Sequence, residues 1–81
     1  MVKKVEFYDR CDKYRIIVFE DGNLYEQIGD ELVEIKKNIY NKDLSVGCIV
    51  LNNCLYFCTQ EDPLYKYDPV AANLKRIERN I

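Results

Sequence analysis

Residues 48–58 read Cys-Ile-Val-Leu-Asn-Asn-Cys-Leu-Tyr-Phe-Cys. Two short apolar runs, Cys48–Leu51 and Cys54–Thr59, flank an Asn-Asn pair of the kind found in turns. The pattern is strand, tight turn, strand. Both faces of both runs are apolar, and a strand needs that only when it is covered on both sides. This hairpin is therefore expected to be the most buried part of the protein.

Upstream, the period is two almost throughout. Val5 and Phe7 face one way, Glu6 and Tyr8 the other, so Val2–Tyr8 is a possible extra edge strand. Tyr14–Glu20 is rich in β-branched and aromatic residues, which fit a pleated surface. Asp21-Gly22 follows, a dipeptide that accepts positive φ and favours a type I′ hairpin. Asn23–Ile28 is the returning strand, Gly29-Asp30 a second tight turn, and Glu31–Lys37 a further alternating strand. Asn38–Gly47 is polar and interrupted, a connection with room for one short turn of helix or edge strand.

Downstream, Gln60–Pro63 is a turn, Leu64–Asp68 alternates, Pro69–Asn73 is a loop and Leu74–Arg79 a last strand. In Leu64–Asp68, Tyr65 and Tyr67 share one face, and Leu64 and Lys66 the other. The reading is all-β: two antiparallel, blade-like meanders in a single domain, one over about residues 3–38 and one over about 46–79. Ile16-Ile17-Val18, Asn23-Leu24-Tyr25 and Leu32-Val33 run parallel to Cys48-Ile49-Val50, Cys54-Leu55-Tyr56 and Leu64-Tyr65. The offset is about thirty residues, as in repeat architectures. Two such sheets either assemble with further copies into a propeller-like ring, pack as a small sandwich, or curl into a partly open barrel.

A chain of 81 residues buries too little surface for a large stability margin, so a staple, a metal or a partner is expected. Its 48% apolar share excludes disorder by composition. A net charge of −2 from 14 acids and 12 bases is too balanced to imply nucleic acid or a membrane surface. The charge is uneven, however: six acids and no base lie between Glu20 and Glu34, while Lys66, Lys75, Arg76 and Arg79 tip the last segment positive. These stretches are either two solvated faces or faces that meet between subunits. Cys11, Cys48, Cys54 and Cys58 are expected as small core hydrophobes of a reduced, cytoplasmic protein, since the first residues carry no apolar leader and no apolar run spans a bilayer.

The stretch Val46–Ile77 resembles a β-propeller blade of the kelch type. An apolar strand (Cys48–Leu51) and a tight turn precede Cys54-Leu55-Tyr56-Phe57; a loop leads to Leu64-Tyr65-Lys66-Tyr67-Asp68-Pro69. Tyr67-Asp68-Pro69 is the most specific part. Leu74 lies where such blades usually place a tryptophan, Cys58-Thr59 replaces the glycine pair, and the first copy lacks the Tyr-Asp-Pro element. The resemblance implies protein binding rather than chemistry.

No histidine is present, which removes the commonest general base, the triads built on it and most catalytic zinc sites. Ser45 is the one serine and has no neighbouring base; the glycines at 22, 29 and 47 are isolated and make no phosphate loop. Cys54 and Cys58 share a strand face with α-carbons about 13 Å apart, too far for one metal without a bend. No cofactor or metal is expected. The seven tyrosines carry more weight. They are either half-buried sheet residues or an aromatic contact surface, because tyrosine gives large area at low entropy cost. The candidate contact residues are Tyr25, Tyr56, Tyr65 and Tyr67, with Glu26, Asp30 and Glu31 from the acidic strip.

Three function classes follow. The first is a non-catalytic protein-binding or self-assembling β module, expected as a homo-oligomer. The second is a small regulatory or inhibitor protein of the phage type, holding one basic partner through Glu20–Glu34 with strong salt dependence. The third is an enzyme or small-ligand binder acting across a subunit interface.

Overall fold

The computed structural model describes residues 2–78. Among them the chain forms eight strands: β1 (Val2–Tyr8), β2 (Tyr14–Glu20), β3 (Asn23–Ile28), β4 (Glu31–Lys36), β5 (Gly47–Leu51), β6 (Cys54–Cys58), β7 (Tyr65–Asp68) and β8 (Asn73–Arg76). They build two four-stranded antiparallel sheets, each a meander in chain order, β1-β2-β3-β4 and β5-β6-β7-β8.

Turn chemistry fixes the hairpins. Asp21 and Gly22 both take positive φ, 52° and 84°, as a type I′ turn requires. Asn52 and Asn53 do the same at 52° and 61°. The β2–β3 turn is also a docking point for the connection, where Ile39 N–H donates to the Gly22 carbonyl at 2.8 Å. A Cβ on Gly22 would lie 3.0 Å from the Tyr40 carbonyl oxygen, so glycine is needed there for space as well as for φ.

The register puts one apolar set inward. Phe19 lies opposite Leu24 and Ile17 opposite Glu26 across β2 and β3; Leu55 lies opposite Tyr67, and Phe57 opposite Tyr65, across β6 and β7. A slip of one residue would turn each set to solvent. The core joins Phe7, Ile17, Phe19 and Leu24 of the first sheet to Leu55, Phe57 and Tyr67 of the second. The Phe19 and Phe57 rings meet edge to face with centroids 5.0 Å apart.

The two sheets stack like on like. Lys3 Nζ, near the start of β1, donates to the Val46 carbonyl just before β5 at 2.7 Å. Asn53 Nδ2, just past β5, donates to the carbonyl of Tyr8, the last residue of β1, at 3.0 Å. β1 and β5 therefore lie alongside and run the same way. Phe19 on Phe57 places β2 against β6, and Leu24 of β3 shares the buried cluster with Tyr67 of β7. Strand order and direction agree in both sheets, so a shift with a twist relates them. A two-fold turn would reverse either the order or the direction.

Three expectations need correction. The hairpin at 48–58 is not covered twice within the chain: β6 is buried, but Ile49, Val50 and Leu51 of β5 are 63%, 41% and 51% exposed. The reason is that β5 is an edge strand, and this chain holds only one other sheet to cover it. The repeat pairing also shifts by one strand. Val2–Tyr8 is an integral first strand of its sheet, so β1 answers to β5 and β2 to β6. The connection is not merely polar. It has no strand of its own, yet it buries Ile39 and Val46 and sets Tyr40 edge-on to Phe19 at 5.9 Å. The final strand ends at Arg76; Arg79 lies outside the described residues.

Candidate functional site

Alternation along β5 and β6 places their second apolar set on the outer face of the second sheet. Across it runs the row Ile49–Tyr56–Lys66–Lys75, with Leu51 beside Cys54 and Gly47 beside Cys58 in the neighbouring rows. Ile49, Leu51, Tyr56, Cys58 and Leu64 line a shallow apolar trough of about 590 Å³. The Lys66 ammonium sits 5.8 Å from the centre of the Tyr56 ring, close enough for a cation–π contact.

An ion pair bounds this face at one end. Arg10, in the β1–β2 turn, donates from Nε to Asp68 Oδ2 at 2.9 Å. Burial pushes the Asp68 carboxyl up, but Arg10 and the backbone N–H of Val70 more than reverse this and hold it below its ordinary value. Arg10 also lies beside the thiols of Cys11 and Cys54. All four cysteines are unpaired: Cys54 is buried, Cys48 and Cys58 are half-buried, and Cys11 is exposed. No group of three or more His, Cys, Asp or Glu among the described residues is arranged to hold a metal ion.

The contact residues expected from sequence scatter. Tyr56 lies in the trough. Tyr25 is half-buried on the outer face of the first sheet, in the row Lys4–Val18–Tyr25–Glu34. Tyr65 stacks on Phe57 at 5.5 Å, against the core. Tyr67 is a core residue at 4% exposure, its hydroxyl pushed up by burial, so it presents no contact surface. Period-two alternation groups Tyr65 and Tyr67 correctly but does not say which sheet face is inside.

Glu26 is also structural. Both its oxygens accept from Arg15 Nη1, at 3.2 and 3.0 Å, while Arg15 Nε donates to Asp9 Oδ2 at 2.7 Å. Burial pushes the Asp9 carboxyl up; Arg15 and the N–H groups of Lys13 and Cys11 reverse this and leave it below its ordinary value. Glu26 thus serves to hold Arg15 rather than a partner. Asp30 and Glu31 are exposed at the β3–β4 turn, while Asp21 sits at the other end of β3. The acidic strip is divided between the two ends of one strand and does not form one surface.

Sequence reasoning passed over Ile49, Leu51 and Leu64 as surface residues. Their signal was present in the two-sided apolar pattern, which was read as burial within the chain. Asp9 and Arg15 left no such signal, because their pairing with Glu26 depends on three separate strands or turns coming together. Comparison with protein-family models, with curated proteins and with solved structures finds no match to this chain.

Proposed function

We propose that this chain is a non-catalytic protein-binding module whose contact surface is the outer face of β5 and β6. One observation carries the reading: Ile49 and Leu51 stand 63% and 51% exposed beside Tyr56 on a regular sheet. Contiguous exposed apolar surface of this kind marks an interaction site in a folded protein. The rigid ladder beneath presents it with little ordering cost on binding. The charged groups drawn into the interior, Asp9, Arg15 and Glu26, are engaged with one another in structural ion pairs.

Two further observations support the same reading. Like-on-like stacking of four-stranded meanders fits the kelch-type resemblance of Val46–Ile77, which points to protein binding. The unpaired state of all four cysteines fits a reducing compartment such as the cytoplasm. No helix among the described residues is long and apolar enough to cross a membrane.

Site-specific photocrosslinking tests the proposal. A benzophenone side chain replacing Ile49 should give discrete protein adducts in cells, and the same group replacing Asp30 should give none. An Ile49 probe that yields no discrete adduct, or the same adducts as the Asp30 probe, overturns the assignment.

A further inference from the structure

We propose that the occupant of the β5–β6 face is a second copy of this chain, docked by the outer face of its first sheet, so that copies join head to tail. This rests on the reading of that face as a binding surface and names its partner.

The argument starts from the stacking. β1 lies on β5, β2 on β6 and β3 on β7, in the same order and the same direction. Two sheets stacked this way meet through opposite faces: the front of the first packs on the back of the second. The front of the second and the back of the first are left outside. These are the two kinds of face that already pack together once inside the chain. A second copy placed by the same shift and twist continues the stack across its own first sheet. Such an interface joins two different surfaces, so it propagates, closing into a ring where the rotation allows.

The two outer faces have the composition this requires. The outer row of the second sheet runs Ile49–Tyr56–Lys66–Lys75 from its first strand to its fourth. The outer row of the first sheet runs Lys4–Val18–Tyr25–Glu34 in the same strand order. Stacked in that order, Ile49 meets Lys4, whose methylene chain can lie along it, Tyr56 lies over the strand at Val18, which is itself only 1% exposed, Lys66 meets Tyr25 and Lys75 meets Glu34. The middle is supplied by the half-buried rings of Tyr56 and Tyr25, and the fourth-strand pair is opposite in charge. Lys66 already sits over the face of the Tyr56 ring on its own sheet, so the Tyr25 ring offers it a second. Asp68, the one acid on the outer face of the second sheet, is neutralised by Arg10 and leaves Lys66 and Lys75 as the charges presented. A two-fold dimer through the trough with its axis across the strands would instead bring Lys66 and Lys75 near their own copies.

Complementation between blocked faces tests the geometry. Sedimentation equilibrium of the wild-type chain should give a mass several times the 9.6 kDa of one copy. Ile49→Glu blocks one face and Leu32→Glu or Tyr25→Glu the other; Leu32 is 44% exposed and tolerates the change most readily. Circular dichroism checks that each variant keeps its sheet. Each variant alone should sediment as a single copy. An equimolar mixture of Ile49→Glu with Leu32→Glu should form a species of twice that mass, because each supplies the face the other lacks. A wild-type chain that stays at one copy, or a mixture that stays at one copy, overturns the head-to-tail assembly. A wild-type dimer that only Ile49→Glu disrupts would show two-fold docking and overturns it as well. The photocrosslinks separate the two proposals: Ile49 adducts to a different protein with a single-copy wild type leave the binding surface standing and remove the self-partner, while absence of any adduct removes both.

Discussion

Truncating Phe19 to alanine tests whether the two sheets form one cooperative unit. Phe19 is 1% exposed, meets the Phe57 ring at 5.0 Å from the opposite sheet and Tyr40 of the connection at 5.9 Å. Removing a ring from so closed a site costs about 3–5 kcal/mol, since the surroundings collapse only partly. Of that, about 0.5–1.5 kcal/mol is the ring–ring geometry with Phe57. A chain of this length has a total stability of roughly 4–12 kcal/mol. Phe19→Ala should therefore stand at the edge of unfolding, whereas Phe19→Leu, which keeps most of the volume, should lose only about 1–1.5 kcal/mol. Urea unfolding followed by circular dichroism and by tyrosine fluorescence measures both. The two probes should report one transition, and Phe19→Leu combined with Phe57→Leu should be non-additive by about the ring–ring amount. A loss below about 1 kcal/mol for Phe19→Ala, or two separate transitions in the wild type, would refute face-to-face packing through this pair.

Arg15→Met should cost about 3 kcal/mol or more, because it leaves acids beneath the sheet without their cation. Its sensitivity to acid should also weaken. In the wild type the Asp9 carboxyl lies below its ordinary value of 3.8, so its contribution is present above that pH and is lost as pH falls through the lower folded value. Without Arg15 only the N–H groups of Lys13 and Cys11 oppose the burial, so the folded value rises and the variant should lose less stability than the wild type on acidification toward pH ~4; melting temperatures that fall in parallel for both proteins would contradict this. Gly22→Ala should cost more than Gly29→Ala. Both glycines hold positive φ, but a Cβ at 22 meets the Tyr40 carbonyl at 3.0 Å and one at 29 meets nothing within 4 Å. The Gly29 change should cost about 1 kcal/mol, and equal losses in chemical denaturation would mean that the connection is not held against the β2–β3 turn.

What was legible in the sequence was local. Asp21-Gly22 and Asn52-Asn53 announce their turns because positive φ is a property of a dipeptide, and the bounds read for β2 and β3 coincide with the observed strands. What was not legible depends on which face of a sheet is inside. Tyr56 and Tyr67 look alike by alternation, yet one lines a trough and the other fills the core. β1 was hard to pair with β5 because their outward residues differ: Val2, Lys4, Glu6 and Tyr8 on one, Gly47, Ile49 and Leu51 on the other. That difference is itself informative. β5 carries no charged residue along its length, whereas β1 mixes Lys3, Lys4 and Glu6 with exposed Val2 and Tyr8. The asymmetry has a physical cause if the outer face of β5 is covered by something this chain does not supply. Because the internal stack joins unlike faces, the surface best shaped to cover it is the one left bare at the other end of the same chain.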